Sequence, residues 1–175
     1  AESVVPPILA FTIRVGRNCA GGPQNCATVE VYTMATYAKR VLPAEWFSCW
    51  GSLANGGHTL RAGAVAIRTY ASWHINHPLT ANYDICDYTA CQFFGDTQTS
   101  NCNVAVDATT GYVMINSSDD IPRAEYSAEN NNSGCGNGFS GTGTSTAPCI
   151  NDPVCVNQTM FGHGRGLCQW GSCLL

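Results

Sequence analysis

Cysteine is the residue that most limits what this chain can fold into. Eleven of its 175 residues are cysteine, a load that belongs to an oxidising compartment where disulfides persist. An odd number cannot all pair within one molecule, so at least one is free, paired between chains or bound to metal. Cys19 and Cys26 flank the turn-rich stretch AGGPQN, which a local disulfide would close. Cys135 and Cys149 hold a run of Asn, Gly, Ser and Thr that begins at Asn130 and reads as a stapled surface loop with little regular structure.

Charge narrows the partners. Only 11% of the residues are charged, against roughly 25% in ordinary soluble domains, and the net charge is −4 with Lys39-Arg40 the one adjacent basic pair. Nucleic acid is excluded as a partner on this reading, because neutralising phosphates takes several cations on one face. A neutral substrate suits the surface better. The chain opens on AESVVPP without the pattern of a leader, and no apolar run approaches the roughly 20 residues that span a bilayer. The expectation is a secreted protein, extracellular or in the cell wall, from which any leader has been removed.

Periodicity sets the elements. Val4 to Val15 alternates in the manner of a strand, and Val29, Val31 and Thr33 continue a second. Met34, Tyr37, Ala38, Val41 and Leu42 then fall at helical spacing up to Pro43, which should end or bend the helix. After the glycine-rich Gly51–His58 loop, Thr59 reads as the N-cap of a second helix running to about His74, with Leu60, Ala64, Ile67 and Ala71 on one face. Gly63 inside that helix points to a tight neighbour. Beyond it the pattern predicts a short strand near Cys91–Phe94, a helical turn at Val104–Thr109, a strand from Gly111 through YVMIN, and a returning strand from Ile121 to Ala128. The fold class expected is α+β: one disulfide-rich domain over residues 1–175, with mixed or antiparallel β-structure and two main helices.

Three constellations carry candidate chemistry. Glu45 sits at the break after Pro43, among Trp46, Phe47 and Trp50. Aromatic walls desolvate a carboxylate, raise its pKa and keep it protonated as a general acid, whereas an ordinary glutamate at a helix end is solvated. His74, His77, Cys86 and Cys91 offer imidazole and thiolate ligands to zinc, and the same cysteines equally read as a disulfide. Cys49 or Cys168 with His163 would make a cysteine nucleophile and base, though neither lies at a recognisable nucleophile turn. His163 itself lies in GHGRG, where the glycines allow close approach to a ligand, with Gln169 and Trp170 following. Asp84, Asp87 and Asp107 are the candidates for a second carboxylate, and each reads more readily as a turn or cap residue.

Taken in order, VLPAEW, LRAGAVAIRTYA, CDYTACQFFG, AVDATTG at Ala105–Gly111 and HGRGLCQWGS resemble the stage II sporulation protein D (SpoIID/LytB) domain family over about residues 30 to 173. The resemblance implies a peptidoglycan lytic transglycosylase, which cuts the MurNAc–GlcNAc β-1,4 bond of glycan strands stripped of stem peptides and leaves 1,6-anhydro-MurNAc ends. The family's catalytic glutamate falls on Glu45, which would serve as acid and then as base without a second carboxylate. Arg68, Tyr70, Gln92, His163 and Gln169 fall in the matching motifs and are expected to line or brace the groove. The chemistry needs no cofactor. Some relatives hold zinc through one histidine and two cysteines; Cys86 and Cys91 match those cysteines, and His77 is the histidine assigned, although it and His74 lie upstream of the family position. Relatives continue past the last motif into a further helix, whereas this sequence stops at Leu175. The alternatives are a non-catalytic cell-wall glycan-binding or structural module on the same fold, and a polysaccharide hydrolase using Glu45 with an aspartate.

Overall fold

Alternation makes the first strand. The computed structural model describes residues 11–128 and 166–174, and in it β1 (Thr12–Arg17) turns Ile13 and Val15 fully inward. It pairs antiparallel with β2 (Thr28–Thr33) in a register from Thr12 opposite Thr33 to Arg17 opposite Thr28. The Cys19–Cys26 disulfide closes the intervening loop, as the spacing suggested. On its other side β1 pairs parallel with the two-residue β3 (Ile85–Cys86), giving the order β2-β1-β3. The expected strand near Cys91–Phe94 is replaced by this shorter one, and Cys91 returns to it through a disulfide to Cys86.

β2 runs directly into α1 (Met34–Glu45), where the Thr33 hydroxyl accepts the Thr36 N–H at 3.1 Å and caps the helix. Met34, Tyr37, Ala38, Val41 and Leu42 are its buried face, as their spacing predicts. Pro43 does not end the helix. It occupies the last turn, and the Trp46 N–H closes on the Leu42 carbonyl at 2.8 Å, so that the helix reaches Glu45. A 3-10 turn over Ser48–Ser52 follows, then α2 (Gly56–Asn76), 21 residues long. This helix starts before Thr59, on Asn55 in the left-handed region at φ 62°. The Thr59 hydroxyl donates instead to the Ser172 carbonyl at 2.6 Å.

α1 and α2 meet closely at Gly63. A Cβ there would lie 2.8 Å from Trp46 Cε2 and 3.0 Å from Leu42 Cδ1, which is the tight neighbour the glycine implied. α3 (Ser100–Ala108) is longer than the expected turn and packs against both helices. The core lies between these helices and the sheet, with Ile13, Tyr37, Leu42, Trp46, Ile67 and Ile85 among its fully buried members.

The expected strand over YVMIN is absent among the described residues; Met114 N–H bonds the Thr69 hydroxyl on α2 at 2.9 Å instead of a strand partner. Of the returning strand only β4 (Tyr126–Ser127) forms, parallel to β5 (Leu167–Cys168). β5 leads straight into α4 (Gln169–Leu174). The α+β class therefore holds, with four described helices and a small mixed sheet. The part of the expected Val4–Val15 strand before Phe11 and the Cys135–Cys149 loop lie outside the described residues.

Candidate active site

Glu45 ends α1, and this position sets its chemistry. A carboxylate at a helix C-terminus faces the negative end of the peptide dipoles. Burial adds to this, lifting the Glu45 pKa above its ordinary value. The Phe93 N–H, which donates to Oε1 at 2.5 Å, and the facing Gln169 and Tyr126 side chains offset the rise in part. No ion pair to Glu45 forms among the described residues. The result is a carboxyl group biased towards its protonated form.

The loop that carries Phe93 is clamped. Arg40 Nε donates to the Gly95 carbonyl at 2.9 Å, and the Arg40 and Arg17 guanidiniums lie over the Phe94 ring at 4.5 and 4.7 Å. Next to Phe93, Gln92 is buried: its Oε1 accepts the Tyr37 hydroxyl at 2.7 Å and its Nε2 donates to the Ile67 carbonyl at 3.4 Å. On the other flank Gln169, the first residue of α4, donates from Nε2 to the Glu45 carbonyl at 3.0 Å, satisfying one of the unpaired carbonyls at the end of α1. The C-terminal helix is thereby tied to the carboxylate-bearing turn.

Two buried phenols complete the surroundings. Burial first, and the Glu45 charge second, push Tyr37 and Tyr126 well above the usual tyrosine range, so both stay neutral. Tyr126 packs on Trp46, ring centroids 4.7 Å apart. Its hydroxyl is near Glu45 and Gln92 but makes no well-formed hydrogen bond among the described residues. Tyr126 also lines a cavity of about 260 Å³, with Tyr70, Thr89, Ala90, Cys91, Arg123 and Glu125 as the other walls. Of the aromatics that drew attention to Glu45, Trp46 and Trp50 are core residues, while Phe47 is exposed and rests 5.5 Å from Trp170.

The sequence-predicted residues divide sharply. Tyr70 lines the cavity, and Gln92 and Gln169 buttress Glu45. Arg68, expected to line or brace the groove, is buried and donates to the carbonyls of Thr109, Tyr112 and Val106 at 2.7, 2.9 and 3.3 Å. It caps the end of α3. His163 lies outside the described residues. Asp84 is held by Arg14 at 2.6 Å, Asp107 by Lys39 at 2.7 Å, and Asp87 accepts the Asn18 N–H at 2.9 Å, so all three have turn or clamp roles. Cys168 is already in a disulfide, and no histidine bonds Cys49 among the described residues.

Of the two readings of Cys86 and Cys91, the disulfide is the one the structure holds. Cys86 and Cys91 are joined to each other, and a disulfide lacks the thiolates that bind metal. His77 is stacked on Trp73 at 4.3 Å with Nδ1 3.0 Å from the Trp73 carbonyl. No group of three or more potential ligands forms among the described residues. Sequence reasoning missed Tyr37, Tyr126, Arg123 and Glu125. Tyr37 was visible only as one of a helical core stripe, and the other three carry no local signal.

A family model described as SpoIID, stage II sporulation protein, matches residues 23–115. The chain belongs to the SpoIID family. This SpoIID match includes Glu45, Tyr70 and Gln92 and stops short of the HGRGLCQWGS motif. Membership gives the chain a cell-wall-related role. No curated protein matches it. No helix among the described residues is long and apolar enough to cross a membrane.

Proposed function

We propose that this chain is a secreted peptidoglycan lytic transglycosylase, with Glu45 as both acid and base and glycan strands as its partner. The observation that carries the reading is the Glu45 carboxyl group, raised in pKa by burial at a helix end and held on one oxygen by Phe93 N–H. Glycoside hydrolysis ordinarily takes two carboxylates; the three aspartates suggested by the sequence are all engaged elsewhere, and Glu125 on the neighbouring cavity wall is ion-paired with Arg123. A transglycosylase needs one.

In the first step the Glu45 carboxyl gives its proton to the glycosidic oxygen as the C1–O bond breaks and an oxocarbenium-like centre forms on the MurNAc ring. The carboxylate left behind is opposite in charge to that centre and stabilises it in a poorly solvated setting. In the second step the same carboxylate takes the proton of the C6 hydroxyl as O6 closes on C1. Proton and charge balance, no water is consumed, and Glu45 returns to its starting state. The neutral Tyr126 phenol is placed to support the carboxylate between the two steps. No cofactor takes part.

Digestion of purified glycan strands, read by mass spectrometry, tests the reaction type. Anhydro-muramic ends are the expected product. Reducing ends instead would make the chain a hydrolase, and tight binding without cleavage would make it a glycan-binding module.

A further inference from the structure

Three cysteines among the described residues carry free thiols: Cys49, Cys102 and Cys173. Free thiols are out of place in a chain that holds the Cys19–Cys26 and Cys86–Cys91 disulfides and whose cysteine load belongs to an oxidising compartment. Two of the three sit on elements that pack against each other. Cys49 lies in the 3-10 turn Ser48–Ser52, between Phe47 and Trp50, and Cys173 lies in α4. The Trp170 ring of α4 rests 4.9 Å from Trp50 and 5.5 Å from Phe47, so both residues that bracket Cys49 meet α4. Cys173 follows Trp170 by three positions, which on a helix puts the two side chains on one face. Next to it, the Ser172 carbonyl accepts the Thr59 hydroxyl at 2.6 Å, which seats α4 on the start of α2. The two thiols are also within electrostatic reach: burial first, and the Cys49 charge second, raise the Cys173 pKa above its ordinary value. Cys102 differs. It is fully buried on α3 and burial raises its pKa, the marks of a structural thiol that stays reduced.

We propose that Cys49 and Cys173 join by oxidation into a disulfide that staples α4 to the turn following Glu45. The staple goes beyond the glycan-cleaving reading and does not depend on it. Cys49 is exposed, so it meets the oxidant first, a small-molecule or protein disulfide. Its thiolate attacks one sulfur of that disulfide, forming a mixed disulfide and releasing one thiol. The Cys173 thiolate then attacks the Cys49 sulfur, the S–S bond within the protein forms and the second thiol leaves. The oxidant gains two electrons, and the two protons lost by the cysteines end on its two sulfurs. The bond closes a long stretch of chain, the arrangement in which a cross-link most restricts the unfolded state. Its local effect is on α4, whose first residue, Gln169, donates to the Glu45 carbonyl. The redox state of the pair thus sets how firmly the C-terminal helix holds the turn that carries the candidate acid.

Peptide mapping of the full chain tests the staple. The protein is equilibrated with glutathione disulfide, denatured in an alkylating reagent without reductant, digested and read by mass spectrometry. The expected product is a pair of peptides joined through Cys49 and Cys173, with Cys102 alkylated. Alkylation of both Cys49 and Cys173, glutathione left on Cys49, or a Cys49 bridge between two chains overturns the proposal. Cys49→Ser adds a physical readout, because serine at an exposed position costs little packing. It should leave Cys173 open to alkylation, lower Tm by roughly 4–16 °C and speed amide exchange across α4 on the order of ten-fold or more. Cys49→Ser combined with Cys173→Ser should melt close to Cys49→Ser alone, since either change removes the whole bond. A Cys49→Ser protein whose Tm and α4 exchange match those of the oxidised wild type overturns the staple.

Discussion

Arg68→Met separates a structural arginine from a substrate-binding one. Arg68 is 4% exposed, and two of its bonds, to the Thr109 and Tyr112 carbonyls at 2.7 and 2.9 Å, have good length, while the third, to Val106 at 3.3 Å, is weak. Methionine keeps the stem's packing and deletes the fork. Each hydrogen bond to a charged group is worth roughly 1.5–3 kcal/mol. Removing a buried guanidinium also relieves its desolvation, a strain visible in its lowered pKa. The net loss should be about 2–4 kcal/mol, since two charge-assisted bonds of good length go and the Tyr112 carbonyl loses its donor, while the Val106 and Thr109 carbonyls keep backbone N–H partners. For a chain of this size that lowers Tm by roughly 4–16 °C. Thermal unfolding followed by circular dichroism gives the stability, and cleavage of glycan strands well below the transition gives the activity of the folded fraction. The expected outcome is a large drop in Tm with activity per folded molecule close to wild type. A variant as stable as wild type that no longer cleaves would refute the reasoning and return Arg68 to the groove.

Three further outcomes follow from single features. Gly63→Ala places a Cβ against Trp46 and Leu42, so overpacking of about 1–3 kcal/mol should exceed the ~1 kcal/mol helix-propensity gain, and urea unfolding should show net destabilisation together with reduced activity through the displaced Trp46. Burial, with the Arg123 charge second, lowers the His74 pKa to about 4. The unfolded chain takes up this proton near pH 6.5, so stability is full above that value and falls as pH drops towards 4. The loss should total on the order of 3 kcal/mol, and unfolding of His74→Phe should lack that component. Chelator treatment should leave both Tm and activity unchanged, whereas opening the Cys86–Cys91 loop alone, with Cys86→Ser and Cys91→Ser together, should remove about 2 kcal/mol, read by the same melts.

Local periodicity explains what was legible in advance. β1, β2 and the buried faces of α1 and α2 follow from side-chain spacing, and Gly63 announced its close neighbour because a glycine inside a helix needs a reason. The start of α2 was misplaced because the Thr59 hydroxyl serves a carbonyl 113 positions away, a partner no local rule supplies. The strand expected over YVMIN failed for a related reason: its amide partner is the Thr69 side chain on α2. Glu45 stood out through its aromatic and proline setting, which is a short-range signal. Tyr126 did not, because it reaches Glu45 only when β4 pairs with β5 some 40 residues on. Arg68 illustrates the opposite error. A charged residue inside a recognised motif suggests ligand binding, yet its burial and three carbonyl partners assign it to the end of a helix.

The most direct test of the central claim is digestion of purified glycan strands by the wild type and by Glu45→Gln at equal folded concentration, with products read by mass spectrometry. Glutamine keeps the acceptor for Phe93 N–H and removes only the proton that is given and taken back. The account predicts anhydro-muramic ends from the wild type and none from the variant, with the fold of the two indistinguishable by circular dichroism. Anhydro-muramic products from Glu45→Gln at the wild-type rate would contradict it.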